Sequence, residues 1–238
     1  MPSSRTLRVA VGLGSTAQFA SEQFRFARAR LLEAVERIEQ VSAIYETAAV
    51  GPAGTSFQNA VLILSTNRPL ESLLALCHEI EADAGRLRGS DRWQSRPLDL
   101  DLIAARDRTQ PVCVRSQTLS LPHPLAWVRR FVLDPLIEIE PTFLLRDDRS
   151  ALEWWTHWQQ RPIRVWLQPE TPIPASLAMF VERATSAIAS DLQLVDRSEE
   201  PLRSTPLPRR EAIEATLRGI LDQPQRVVPA EDWVAGNA

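Results

Sequence analysis

Apolar positions along the chain alternate between the two periods that strands and helices impose. Leu7 to Leu13 carries β-branched Val9 and Val11 and reads as a strand that stops in a tight loop, Gly12-Leu13-Gly14-Ser15. Phe24, Ala27, Leu31, Ala34 or Val35, and Ile38 then recur at helical spacing and predict an amphipathic helix from Ala17 to Glu39, its arginines facing water. Val41 to Thr47 returns to strand character. Gly51 to Ser56 is a flexible loop, and Phe57 to Ser65, rich in Val, Ile and Leu, reads as a central strand that pairs with Val41 to Thr47 as a hairpin. Pro69 opens the next helix, whose buried stripe is Leu70, Leu73 or Leu74, Cys77 and Ile80, and Gly85 stops it. In Leu98 to Ile103 apolar and acidic residues alternate, so a strand places Asp99 and Asp101 on one face and Leu98, Leu100 and Leu102 on the other.

The resulting order is strand, helix, strand, strand, helix, strand. It predicts an α+β fold, a ferredoxin-like βαββαβ sheet with helices on one face. A further strand is expected within Pro111 to Leu121, and Leu121-Pro122-His123-Pro124 must be extended because each proline restrains the residue before it. Leu152, Trp154, Trp155 and Trp158 suggest an amphipathic helix docking on this core, which gives a first domain over 5–160. Ile163 to Leu167, Ala175 to Ala189, Leu192 to Val195, Arg210 to Leu221 and Arg226 to Val228 alternate strand and helix. They predict a small C-terminal α/β appendage over 161–238, with Ser198 to Pro208 as a proline-rich connection and no assignable cofactor.

The chain of 238 residues has a net charge of -3, so bulk charge gives no bias toward nucleic acid or an acidic membrane. All 27 basic residues are arginine. The absence of lysine excludes a P-loop, Schiff-base chemistry and a lysine-dependent protein kinase site. Cys77 and Cys113 lack metal-ligand spacing and are expected to be buried free thiols. With no apolar run of membrane-spanning length and no signal peptide, the expectation is a soluble, cytoplasmic monomer that binds neither nucleic acid nor membrane.

Candidate chemistry concentrates between Arg86 and Asp101. Arg86, Arg88, Arg92 and Arg96 fall within eleven positions and lead directly into Asp99 and Asp101. A lone Asp-Leu-Asp is usually a strand with one wet face, and an arginine run is usually a solvated loop. Together they favour a metal-nucleotide site. Two carboxylates at i and i+2 suit Mg²⁺, which takes oxygen ligands and completes its shell with substrate phosphate, and guanidinium groups grip phosphate bidentately.

Several motifs extend this pattern. Tyr45-Glu46-Thr47, Phe57-Gln58-Asn59-Ala60, Ile80-Glu81 and Gly85-Arg86-Leu87-Arg88 precede Arg92-Trp93-x-x-Arg96-x-Leu98-Asp99-Leu100-Asp101. Pro122-His123-Pro124 and Arg129-Arg130-Phe131-Val132-Leu133-x-Pro135-Leu136-x-Glu138-Ile139 follow. In order and spacing they resemble the 6-hydroxymethyl-7,8-dihydropterin pyrophosphokinase family over about residues 7 to 145. The resemblance implies transfer of diphosphate from the co-substrate ATP to the pterin's hydroxymethyl group in folate synthesis, releasing AMP. It implies that Asp99 and Asp101 bind two Mg²⁺ ions, and that Arg86, Arg96, His123 and Arg129 act on the transferred phosphates. On the same basis Arg88, Arg92, Trp93 and Ser120 contact ATP, while Thr47, Phe57, Asn59 and Phe131 bind the pterin, the two rings stacking on its faces. Glu81, on the buried stripe of its helix, is expected to pair with an arginine.

This chain departs from the family pattern in its first loop, Gly14-Ser15-Thr16-Ala17-Gln18, and at Ala48-Ala49 and Gln94-Ser95. None of these removes an expected metal ligand or clamping arginine. Two rival readings remain: a degenerate paralogue that binds nucleotide or pterin without turnover, and an arginine-rich nucleic-acid binder.

Overall fold

A computed structural model of the chain describes residues 5–16, 20–47, 56–85, 97–160, 163–166, 192–195 and 224–235. Its centre is β1 (Leu7–Ser15), which pairs antiparallel with β4 (Phe57–Thr66) on one side and β5 (Asp99–Asp107) on the other. β6 (Gln110–Val112) extends the sheet beyond β5. On its outer side β4 receives two short strands in succession, β2 (Arg37–Val41) along one half and β3 (Ile44–Thr47) along the other. The expected hairpin between Val41–Thr47 and Phe57–Ser65 is therefore present in the pairing of β3 with β4.

Helices α1 (Ala20–Leu32) and α2 (Leu70–Asp83) cover one face of the sheet. Phe24, Ala27 and Leu31 of α1, with Leu73, Cys77 and Ile80 of α2, pack on Val9, Val11, Leu62, Leu64, Leu100 and Leu102. Pro69 and Gly85 bracket α2 as their chemistry predicts. Pro69 accepts the Leu73 amide through its carbonyl, and Gly85 leaves the helix at φ 89°, a conformation open to glycine.

The opposite face carries α3 (Arg130–Ile139) and α4 (Ala151–Gln160), so helices lie on both faces rather than on one as the sequence pattern suggested. Val132, Leu133 and Leu136 of α3 pack on Ala10, Val61, Ile63 and Ile103. The physical reason is visible in β1 and β4. Val9, Ala10 and Val11 are each 0% exposed, as are Val61 through Leu64, and strands apolar on successive residues need cover on both sides. Trp127 and Trp154 meet with ring centres 4.7 Å apart, docking α4 as expected.

Two boundaries differ from the sequence reading. α1 ends at Leu32, and Arg37–Val41 is strand β2, not helix. Val35 and Ile38 still reach the core on the α1 side, but from a turn and a strand, which the open edge of β4 holds through the Ile38↔Leu64 and Val41↔Leu62 pairs. Cys113 is exposed, whereas Cys77 is buried as expected, its thiol pushed up to about 12 by burial and by the nearby Glu81 and Asp101 charges.

The expected strand within Pro111–Leu121 is broken into β6, β7 (Val114–Arg115) and β8 (Ser120–Leu121), the last two forming their own ribbon. β9 (Leu144–Arg146) and β10 (Arg149–Ser150) form a second ribbon ahead of α4. β11 (Ile163–Trp166) and β12 (Leu192–Val195) pair in parallel, where two strands were predicted. The helices expected at 175–189 and 210–221, the connection 198–208 and the arginine loop 86–96 lie outside the described residues. Residues 225–235, which the sequence pattern puts in the appendage, join the main sheet. β13 (Gln225–Val228) pairs with β3, and α5 (Ala230–Val234) inserts Trp233 into the core on the α1 side.

One end of the sheet is closed by charge. Arg8 of β1 donates to both carboxylate oxygens of Glu140, at 2.9 and 2.6 Å, and to Glu39 of β2 at 2.8 Å. Arg106 of β5 also bonds Glu140 and stacks on Phe143, its guanidinium carbon 4.2 Å from the ring centre. Burial raises the Glu140 carboxyl, but the Arg8 hydrogen bonds and the Arg106 charge outweigh it and hold the group below the ordinary carboxylate range. Replacing one partner of such a part-buried cluster strands the others. Glu140→Ala is therefore expected to lower stability by about 3 kcal/mol, read as a shift of the urea unfolding midpoint.

Candidate active site

Strand register assembles the site. Across β1 and β5, Gly14 lies opposite Asp99 and Gly12 opposite Asp101. Across β1 and β4, the same glycines lie opposite Asn59 and Val61. β3 adds Tyr45 opposite Asn59 and Thr47 opposite Phe57. Cross-strand partners share a face, so Asp99, Asp101, Asn59, Phe57, Thr47 and Tyr45 all lie on the α3 side of the sheet. Leu98, Leu100 and Leu102 are buried against α1 and α2, as the alternation predicted.

The two glycines form the floor between the acidic strand and the Asn59 strand. A Cβ at Gly14 would stand 3.6 Å from Asn59 Oδ1 and 3.7 Å from the Asp99 Cβ, filling the space between them. A Cβ at Gly12 would press within 3.1 Å of Ile103. The sequence pattern ran the strand from Leu7 to Leu13 and read Gly12 to Ser15 as the tight loop in which it stops, whereas both glycines lie within β1. The available signal was a Gly-x-Gly spacing in a strand-like run, which puts both missing side chains on one face and marks a close approach.

Asn59 is 8% exposed and its amide nitrogen donates to Thr47 Oγ1 at 3.2 Å. That bond orients the amide, leaving Oδ1 directed toward the glycine floor. Phe57 keeps part of its ring open to solvent, Asp99 is partly buried and Asp101 is exposed. Between the two aspartates the Leu100 amide donates to Glu81 Oε1 at 2.8 Å. The buried Glu81 thus binds the backbone of the acidic strand from the opposite face. The arginines from which its expected partner would come are those of 86–96.

His123 and Arg129 lie near the aspartates in the connection into α3, and Phe131 follows in its first turn. The His123 amide donates to the Ile103 carbonyl at 2.7 Å, which ties this segment to β5 two residues beyond Asp101. His123 Nδ1 accepts the Leu125 amide at 3.2 Å, so in the neutral ring the proton sits on Nε2. Burial, then the Arg129 charge, pushes this imidazole down to about 4 against the opposing pull of Asp99. At neutral pH it is an uncharged N–H donor. Burial also lowers Arg129, opposed by Asp101 and Asp99, yet a guanidinium remains charged. The Arg129 guanidinium carbon lies 5.4 Å from the Phe131 ring centre. The mutual electrostatic influence of Asp99, Asp101, His123 and Arg129 puts all four in one cluster.

Arg86, Arg88, Arg92, Trp93 and Arg96 lie outside the described residues, as do Ala48-Ala49 and Gln94-Ser95. Ser120 is exposed in β8, opposite Arg115 of β7. Tyr45 and Glu138 received no role from the sequence. Tyr45 shares the site face, and its hydroxyl is pushed up to about 12 by burial and then by the nearby Glu138 of α3.

Among the described residues no three His, Cys, Asp or Glu side chains gather as a metal cage. Two neighbouring carboxylates, one of them exposed, nevertheless suit a hard cation that keeps water and substrate oxygens in its shell. Among the described residues no helix is long and apolar enough to cross a membrane.

The family model described as 7,8-dihydro-6-hydroxymethylpterin-pyrophosphokinase (HPPK) matches residues 10–141. The 2-amino-4-hydroxy-6-hydroxymethyldihydropteridine pyrophosphokinase of Mycobacterium tuberculosis is 47% identical over 93 residues, covering 36% of this chain and 48% of the relative, so the match spans about half of that protein's length. The enzyme of the same name from Pseudomonas aeruginosa is 35% identical over 152 residues, covering 61% of this chain and 88% of the relative. Among solved structures, a Plasmodium falciparum HPPK-DHPS superposes with a TM-score of 0.49 at 12% identity, covering 66% of this chain and 42% of that chain. The breadth of the family match, and the relative matched over most of its own length, lead to one conclusion: this chain belongs to the 7,8-dihydro-6-hydroxymethylpterin-pyrophosphokinase family.

Proposed function

We propose that the protein transfers the β,γ-diphosphoryl group of ATP to the hydroxymethyl oxygen of 6-hydroxymethyl-7,8-dihydropterin, a step of folate biosynthesis, releasing AMP. The observation that carries this reading is the shared face. The carboxylates of Asp99 and Asp101, the amide of Asn59 and the side chain of Phe57 share the α3 face of the sheet on either side of Gly12 and Gly14, and Arg129, beside the Phe131 ring, feels the charge of both aspartates. The sheet around β1 is read as ferredoxin-like, with β2 and β3 together in the place of one strand, and 163–224 as an extension without an assigned role.

In this reading the flat pterin stacks between Phe57 and Phe131, and Asn59 with Thr47 meets its polar edge. Asn59 is suited to that task because its own nitrogen is already engaged by Thr47 and its oxygen is free to accept. The pterin hydroxyl oxygen attacks the β-phosphorus. The bond from that phosphorus to the oxygen bridging the α-phosphate breaks, and AMP leaves with the electron pair while the hydroxyl proton is released. His123 donates its Nε2–H to phosphate oxygen without adding charge. Arg129 adds fixed positive charge that is already desolvated, so little reorganisation is needed as negative charge shifts.

Asp99 and Asp101 would hold two Mg²⁺ ions, which would supply neutralisation of the charge on the transferred phosphates. Arg86 and Arg96 complete the phosphate clamp, and Arg88, Arg92, Trp93 and Ser120 contact ATP. The rival, a paralogue that binds without turnover, rests on the altered residues Thr16-Ala17, Ala48-Ala49 and Gln94-Ser95. Measuring AMP release with the dihydropterin separates the two, and saturable binding without AMP formation would favour the rival.

Asp99→Ala and Asp101→Ala are each expected to cut AMP release by about a hundredfold or more while the circular dichroism spectrum is unchanged, since each removes several kcal/mol of charge stabilisation. Wild-type rates in either variant would refute the assignment. A second expectation concerns proton linkage at His123. The folded chain keeps this ring neutral down to about pH 4, whereas the unfolded chain binds the proton near 6.5. The unfolded state therefore holds more protons in that window, and stability falls as pH drops from 6.5 toward 4. His123→Gln should flatten this part of the curve by about 2 kcal/mol, measured as unfolding midpoints at pH 7 and pH 5.

A further inference from the structure

The C-terminal residues 224–235 lie outside the stretch matched by the family, 10–141, yet they are built into the wall of the site. β3 has only four residues, and without a second neighbour it would be the sheet's edge. β13 supplies that neighbour, with Gln225 opposite Glu46, Arg226 opposite Tyr45 and Val228 opposite Ile44. Thr47, one residue past the last of these pairs, is the hydroxyl that orients Asn59.

Two further contacts pin the turn that launches β3. Trp233 is 0% exposed, meets Phe24 edge-on at 5.9 Å, and donates its indole N–H to the Ser42 carbonyl at 2.9 Å. Arg25 of α1 holds the backbone carbonyls of Asp232 and Trp233 at 3.0 Å each, so the tryptophan is itself fixed. Ser42 is bound to β4 in both directions: its amide donates to the Val61 carbonyl and its hydroxyl accepts the Val61 amide, each at 2.9 Å. Beside it, the Ala43 amide donates to Glu138 Oε2 at 2.8 Å.

Glu138 joins these contacts. Its other oxygen accepts from Arg226 Nε at 3.1 Å, and its charge acts on the Tyr45 hydroxyl of β3. It lies on α3, whose first turn carries Phe131. One carboxylate, carried by the helix that bears the opposite aromatic wall, therefore binds both the turn before β3 and the C-terminal strand.

We propose that the C-terminal strand and Trp233 are a positioning clasp for the pterin wall: through Ser42, β3 and Glu138 they set the spacing between Thr47, Asn59 and Phe57 on one side and Phe131 on the other. The contacts described for the clasp are with Phe24, Arg25, Ser42, β3 and Glu138. It acts on the pterin half of the site alone, and it rests on the pterin assignment proposed above.

The test uses the full chain with Arg226→Ala, Arg226→Lys and Trp233→Phe. The Arg226 pair with Glu138 is half exposed, so its loss has little effect on stability, and phenylalanine keeps an aromatic ring at the Trp233 position while removing the N–H. Arg226→Ala and Trp233→Phe are expected to raise the KM for the dihydropterin about fivefold while the KM for ATP and kcat change by less than about twofold. Arg226→Lys should retain wild-type values. Amide hydrogen exchange over 44–47 should accelerate in the two disruptive variants. An unchanged dihydropterin KM in both, or equal rises in both KM values, overturns the clasp. Should the wild-type chain show no turnover, the proposed function fails instead, and the exchange measurement still decides: unaltered protection of 44–47 in both variants refutes the clasp, and faster exchange supports it.

Discussion

The register of β1 against its two neighbours is the constraint on which the rest of the molecule depends. Nine residue pairs join β1 to β4 and eight join it to β5. A slip of one residue would turn every side chain to the other face. Asp99 and Asp101 would then point into the layer filled by Phe24, Leu73 and Ile80, and Leu100 would point to solvent. The buried valines of β1 forbid this, because Val9 and Val11 have space only on the α1 and α2 side. Hydrophobic packing on one face thus determines the placement of charge on the other.

The two ends of β1 on the α3 side have opposite characters. At one end Arg8 meets Glu140 and Glu39, and Arg106 closes the group from β5. At the other, two residues without side chains leave room between Asn59 and Asp99. α3 spans this distance. Glu140, immediately after its last residue, is bound by the ion cluster, and Arg129 and Phe131 stand at its first turn over the site. Its packing through Val132, Leu133 and Leu136 and its ion pairs therefore set the positions of Arg129 and Phe131 at its start. Arg130 strengthens that first turn through a two-pronged bond to Asp134 at 2.7 and 2.8 Å.

Within the site, neutral and charged donors are kept distinct by their surroundings. His123 loses its charge because burial and Arg129 act in the same direction. Arg129 keeps its own because no protein environment of this kind deprotonates a guanidinium, and the two aspartates offset part of its desolvation. The chain contains no lysine, so the cationic groups available to this site are guanidinium ions with planar donor forks suited to phosphate oxygens.

Local pattern alone was enough to place β1, β4 and β5, to bracket α2 between Pro69 and Gly85, and to set Asp99 and Asp101 on a common face, because periodicity and backbone chemistry act over a few residues. The same local rules misled where tertiary contacts compete with them. Val35 and Ile38 fit a continuing helix as well as they fit a turn and a strand, and only the vacant edge of β4 decided between the two. Helices on both faces followed from how the chain returns after β5, which no window of sequence contains. Gly12 and Gly14 resembled a turn until strands on either side showed them to be the floor of the site. The most distant decision is the bond from Trp233 to Ser42, across 191 positions of chain. Sequence by itself determined which segments form strands and helices and which residue types are equipped for phosphate and metal chemistry. The tertiary structure alone decided which of those residues meet, since that depends on long-range packing and hydrogen bonds whose partners are defined only once the chain has folded.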